Sequence, residues 1–192
     1  MSALPNAAEL PNGAQKFSET RQAERNWCIA TSLQIALHYF DVNGVTQADV
    51  MKEFCRHHGK DSLLRAVGES HEHLSVDQIF ELSKQRNPNS AFGGLVDALE
   101  RLIKPAEFGI LVERKSGDPD FTYTLKDAVA RGACFLMPCS NPNGSFHVYA
   151  ISAYNGNSVV AYEPWSGNFL TRAPAELGAN GDWLIVSRAP KG

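Results

Sequence analysis

Residues 22–40, QAERNWCIATSLQIALHYF, hold one cysteine preceded by polar residues and followed by an apolar run long enough for a buried helix. Ile29, Leu33, Leu37 and Phe40 recur at helical spacing, and Ala30, Ala36 and Tyr39 widen the apolar surface. A central helix over residues 27–40 is therefore expected. Cys28 falls in its first turn, where unpaired N–H groups and the positive end of the dipole favour a thiolate. A cysteine at a helix start is by itself more often a small buried residue, so the rest of the chain must supply what a nucleophile needs.

Upstream, Pro5, Pro11, Asn12 and Gly13 punctuate residues 1–20 without periodicity, which predicts a mobile N-terminal arm ahead of a single domain over residues 21–192. Downstream, Asp41, Asn43 and Gly44 end the first helix, and Thr46 is a candidate N-cap for a second over residues 47–58. Ser75 and Gln78 have capping-box spacing for a third helix that ends near Pro88, and a fourth over residues 94–103 stops before Pro105.

After Pro105 the texture changes. Residues 109–113, 133–137, 146–153, 158–162 and 182–187 are rich in β-branched and aromatic side chains, with one short helix expected over residues 125–131. Turn signals at Asn141-Pro-Asn-Gly, Tyr154-Asn-Gly-Asn and Trp165-Ser-Gly-Asn stand at hairpin spacing. The expectation is an α+β fold, with a helical lobe over about residues 21–105, an antiparallel β lobe over about 106–192 and a cleft between them.

At 192 residues the chain is long enough for a substantial core, and 43% hydrophobic with 20% charged residues is ordinary for a soluble globular protein. A net charge of −3 gives no reason to expect nucleic acid as a partner. Apolar stretches such as residues 133–137 are far too short to cross a bilayer, so no membrane association is expected. The N-terminus lacks the basic start and apolar core of a secretory signal, which fits a protein that stays in the cytoplasm or leaves by a dedicated secretion system. Cys28, Cys55, Cys134 and Cys139 are too sparse for a disulfide scaffold and read as reduced thiols. His57-His58 and His71-Glu72-His73 lack zinc-ligand spacing, Gly93-Gly94 lacks a phosphate-loop context, and Asp118-Pro-Asp120 reads as an exposed turn. No metal and no cofactor are expected.

A thiolate needs a histidine to share its proton and return it to the leaving group. Of the six histidines only His147 lies in an expected strand, where neighbours can hold its ring rigidly. The imidazole in turn needs an acceptor on its other nitrogen. The hairpin through Asn155-Gly156 brings Glu163 back toward His147, whereas Asn155 is explained by the turn alone. Gln22 is placed to offer a side-chain amide to an oxyanion, beside the backbone N–H of Cys28.

Taken together these residues resemble the papain-like cysteine proteases. Gln22 and Cys28 have the six-residue separation of that family's oxyanion glutamine and nucleophile, and His147 and Glu163 the sixteen-residue separation of its histidine and third residue. Trp165 matches the tryptophan that covers the histidine's hydrogen bond there. The patterns Gln22…Asn26-Trp27-Cys28…Ala30…Tyr39…Thr46-Gln47 and His147-Val-Tyr-Ala-Ile-Ser-Ala-Tyr-Asn-Gly…Val160-Ala-Tyr-Glu-Pro are most similar to bacterial avirulence-type effector proteases and to the leader peptidases of bacteriocin exporters. Two departures stand out: Ile29 follows the cysteine where many members carry tryptophan or glycine, and Glu163 stands where asparagine or aspartate is usual.

The resemblance implies a cysteine protease with a Cys28-His147-Glu163 triad, Gln22 as oxyanion donor and a peptide or protein substrate. It equally admits deamidation or transglutamination by the same residues, or an inactive binding module on the same scaffold. By analogy with the effector proteases, an injected effector or toxin restrained by an inhibitor or immunity protein is a further expectation.

Overall fold

A computed structural model describes residues 21–23, 27–57, 100–116, 120–140, 146–155, 158–173 and 182–190. The arm over residues 1–20, the third expected helix, most of the fourth and the turn at 141–144 lie outside the described residues, although residues 100–102 are helical.

Helix α1 spans Cys28–Tyr39 and α2 spans Gln47–His57. Ile29, Leu33, Ile35, Ala36 and Leu37 are all buried, so α1 is enclosed nearly all round, as a core helix must be. It ends where Asp41 takes a left-handed conformation, which a short polar side chain tolerates better than most. At the entry to α2, Thr46 and Asp49 cap each other: the Thr46 N–H and hydroxyl donate to Asp49 Oδ2 at 3.0 and 2.6 Å, and the Asp49 N–H donates to Thr46 Oγ1 at 3.2 Å.

After a 3-10 turn at Pro105–Phe108 come β1 (Ile110–Ser116), α3 (Phe121–Ala130), β2 (Cys134–Ser140), β3 (Phe146–Asn155), β4 (Ser158–Glu163), β5 (Asn168–Arg172) and β6 (Asp182–Arg188). They build one six-stranded antiparallel sheet in the order β1-β6-β2-β3-β4-β5. The α+β expectation holds for the described residues.

Two details differ from expectation. Helix α3 begins at Phe121 rather than near Leu125, because the Phe121 ring packs edge-on to Trp183 of β6, centroids 4.8 Å apart. Strand β5, half-exposed at the sheet edge, follows the expected turn at Trp165-Ser-Gly-Asn but falls outside the segments read as strands. Strand β6 lies inside the sheet, between β1 and β2.

Alternation along the strands divides the core in two. Leu136, Val148, Ala150, Val160 and Tyr162 face α1 and α2, while Phe135, Tyr149, Ile151 and Ala161 face Phe121, Leu125 and Ala128 of α3. The pairing of β3 with β4 shifts between Ile151 and Ala153, a bulge at Ser152 that keeps both Ala150 and Ala153 in the α1 layer.

Candidate active site

Cys28 is the first residue of α1 and is 1% exposed. Trp27, at the N-cap, makes no side-chain capping bond, and the first turn holds no acidic residue. No side chain of the cap or first turn therefore answers the positive end of the helix dipole where Cys28 stands.

His147 enters on β3, immediately before Val148, which packs in the α1 layer. Its ring is hydrogen-bonded to Cys28 on one side and, through Nε2, to Glu163 Oε1 at 2.5 Å on the other. With Nε2 taken, Nδ1 is the nitrogen left for the sulfur. Tyr149 supports the ring edge-on, centroids 5.1 Å apart. Burial alone would lower the His147 pKa, but hydrogen bonds to Cys28 and Glu163, and the negative charge of each, outweigh it and raise the value to about 9.

Glu163 closes β4 and folds back over the turn that follows it. Its Oε1 accepts the Trp165 N–H at 2.8 Å as well as the imidazole, and Oε2 accepts the Ser166 N–H at 2.7 Å. Burial opposes its ionisation, yet the bonds from His147, Ser166 and the two backbone amides hold its pKa down to about 2. The extra methylene relative to aspartate is thus used: one carboxylate reaches the histidine and also organises its own turn. Trp165 takes part through its backbone N–H, and the residue is 57% exposed.

Gln22 lies against the same turn. Its backbone N–H donates to the Pro164 carbonyl at 2.8 Å, and the residue is 8% exposed. The neighbouring Arg21 crosses Gly167 so closely that a Cβ there would meet Arg21 Nε at 2.7 Å, and Gly167 also has a φ of +70°. The structure thus joins Cys28, His147 and Glu163 by hydrogen bonds and docks Gln22 beside the turn that Glu163 organises.

Three supporting residues escaped the sequence reading. Ser166 braces Glu163, Ser32 of α1 donates to the Val148 carbonyl at 2.9 Å, and Gln47 bonds the main chain of Arg21 and Ala23. Their partners are fixed by tertiary structure, so spacing assigns them no role; Gln47 stands in the Thr46-Gln47 pattern of the resemblance but reads otherwise only as the first residue of α2. Cys134, the other described free cysteine, is wholly buried, and burial pushes its thiol far above the usual range.

No family model matches the sequence, and no curated protein matches it. Among solved structures the chain is similar to the peptidase domain of Streptococcus ComA, a bi-functional ABC transporter involved in a quorum-sensing pathway. That similarity has a TM-score of 0.51 at 12% identity and covers 90% of this chain and 97% of that one. The fold is papain-like. The Pseudomonas avirulence protein AvrPphB is similar at a TM-score of 0.25 and 12% identity, over 79% of this chain and 98% of that one. Within the papain-like fold of this chain, the described helices are too short or too polar to cross a membrane.

Proposed function

We propose that the chain is a cysteine peptidase that hydrolyses a peptide or protein bound in a cleft between its helical and β parts. The observation that carries this reading is the hydrogen-bonded series Cys28, His147, Glu163 at the uncapped start of α1.

The Cys28 sulfur, its proton passed to His147, attacks the scissile carbonyl and forms a C–S bond. The carbonyl oxygen becomes an oxyanion, held by the Cys28 N–H and the Gln22 side-chain amide. As the C–N bond breaks, the imidazolium gives its proton to the departing amine. Neutral His147 then takes a proton from water, whose oxygen attacks the thioester and releases the acid and the thiol. Glu163 steadies the imidazolium throughout, and the chemistry needs a reduced thiol and no cofactor.

Iodoacetamide added to the native protein, followed by mass spectrometry, should label Cys28 well ahead of Cys134 and faster than free glutathione. A lysate treated with the wild type should gain new peptide termini that Cys28→Ala does not produce. Intact chains heavier by about one mass unit would instead mean deamidation and would refute the peptidase reading.

A further inference from the structure

Gln47 opens α2, where a polar side chain reads as a solvated helix end, yet it is 8% exposed. Its Oε1 accepts the Ala23 N–H at 2.9 Å and lies 2.8 Å from the Thr31 hydroxyl, whose one proton is shared with the Trp27 carbonyl at 2.9 Å. Its Nε2 donates to the Arg21 carbonyl at 2.8 Å and to Gln34 Oε1 at 3.1 Å. Every lone pair and N–H of the carboxamide thus faces a partner. The Arg21 carbonyl can only accept and the Ala23 N–H can only donate, which fixes the orientation of the amide. The two backbone contacts fall on either side of Gln22, whose own N–H is held by Pro164.

We infer that Gln47 is the positioning residue of the oxyanion site: it grips the main chain before and after Gln22 and sets where the Gln22 amide stands relative to Cys28. This rests on the peptidase reading above. Thr31, three residues after Cys28, shares the grip, so one side chain couples the helix that carries the nucleophile to the segment that carries the oxyanion donor. A displacement of about 1 Å in such a donor is enough to cost roughly 10²-fold in rate.

Two small probes separate this role from a merely structural one. Iodoacetamide alkylates Cys28 by direct displacement with no oxyanion, whereas p-nitrophenyl acetate acylates it through a tetrahedral oxyanion. The ratio of acylation to alkylation at Cys28, read by mass spectrometry, therefore reports the oxyanion site. In Gln22→Ala the ratio should fall by roughly 10²-fold. Gln47→Glu keeps size and the acceptor for Ala23 but sets a carboxylate against the Arg21 carbonyl, and the ratio should fall by roughly 10-fold to 10²-fold. The double variant should fall no further than Gln22→Ala, because both changes spoil one unit. At pH values low enough to protonate the introduced carboxyl, its O–H can again donate to Arg21, and the ratio relative to wild type should recover. Gln47→Met, which has neither donor nor acceptor, should show the loss without that recovery and serves if Gln47→Glu does not fold.

Unchanged ratios in both Gln47 variants overturn the inference. So do equal losses of alkylation and acylation, or losses that multiply in the double variant. If wild-type Cys28 reacts no faster than glutathione with either probe, the peptidase reading itself has failed. If Cys28 is fast but Gln22→Ala keeps its ratio, the oxyanion role of Gln22 is wrong and the inference falls with it.

Discussion

Ser32 donates its hydroxyl proton to the backbone carbonyl of Val148 at 2.9 Å, joining residues 116 positions apart. Ser32 lies one turn along α1 from Cys28, and Val148 directly follows His147. The register partner of Val148 across β2 is Pro138, which has no N–H to offer. The hydroxyl therefore gives the buried carbonyl a donor and, by the same bond, sets α1 against β3 at the point where Cys28 and His147 meet. Removing it in Ser32→Ala should cost about 1–3 kcal/mol, measured as a lower denaturant midpoint with unchanged slope. Acylation of Cys28 should slow as well.

The His147–Glu163 pair gives stability a defined pH window. The His147 pKa is raised from 6.5 to about 9, so its contribution is complete below pH 6.5 and is lost as pH rises through 9. The Glu163 pKa is lowered from 4.5 to about 2, so its contribution is complete above pH 4.5 and is lost as pH falls through 2. Both are complete between pH 4.5 and 6.5. An NMR titration of the His147 ring should show a midpoint near 9, and peptide hydrolysis should decline above that pH as the imidazolium is lost. In Glu163→Gln the midpoint should move down, since one hydrogen bond to a charge and one favourable charge are gone.

The reach of Glu163 makes aspartate an informative replacement. With one methylene fewer, a carboxylate there cannot both meet His147 Nε2 and accept from Trp165 and Ser166. Glu163→Asp should lower kcat by roughly 10-fold to 10²-fold with a smaller change in KM, because misorientation of the base is felt chiefly in the transition state. Equal kcat for the two carboxylates would contradict this account of the turn.

Gly167 combines a left-handed backbone with the close passage of Arg21. Gly167→Ala should cost roughly 1–2 kcal/mol from the backbone alone, read by denaturant unfolding. The Arg21 side chain must also swing aside, since its Nε would lie 2.7 Å from the new methyl. As a flexible side chain it can do so, and the larger effect should therefore be on stability.

Cys28 at a helix start, His147 in a strand and Glu163 at the end of the returning strand were legible as a group because separations along the chain survive folding, and the structure joins the three by hydrogen bonds. What escaped notice depends on partners the local sequence does not name. Phe121, Thr122, Tyr123 and Thr124 have strand-like composition, yet they begin α3 because Phe121 is drawn onto Trp183. Strand β5, NFLTR, is short and lies at an edge, so its alternation is faint. Gln47 is polar at a helix start, and only the chain folding back over residues 21–23 makes it a buried hub. The bends that let Glu163 serve both histidine and turn are likewise invisible until the turn is built.

The position of β6 has a kinetic meaning. Strand β1 pairs only with β6 among the described strands, and β6 also completes β2. Residues 110–116 thus wait for residues 182–188 before they gain a strand neighbour, a long loop closure of the kind that slows folding. A nascent chain that has exposed Cys28, His147 and Glu163 but not yet Trp183 would hold all three groups of the proposed peptidase without the finished sheet. On that proposal, activity should first appear only once β6 has paired with β2 and given β1 its neighbour.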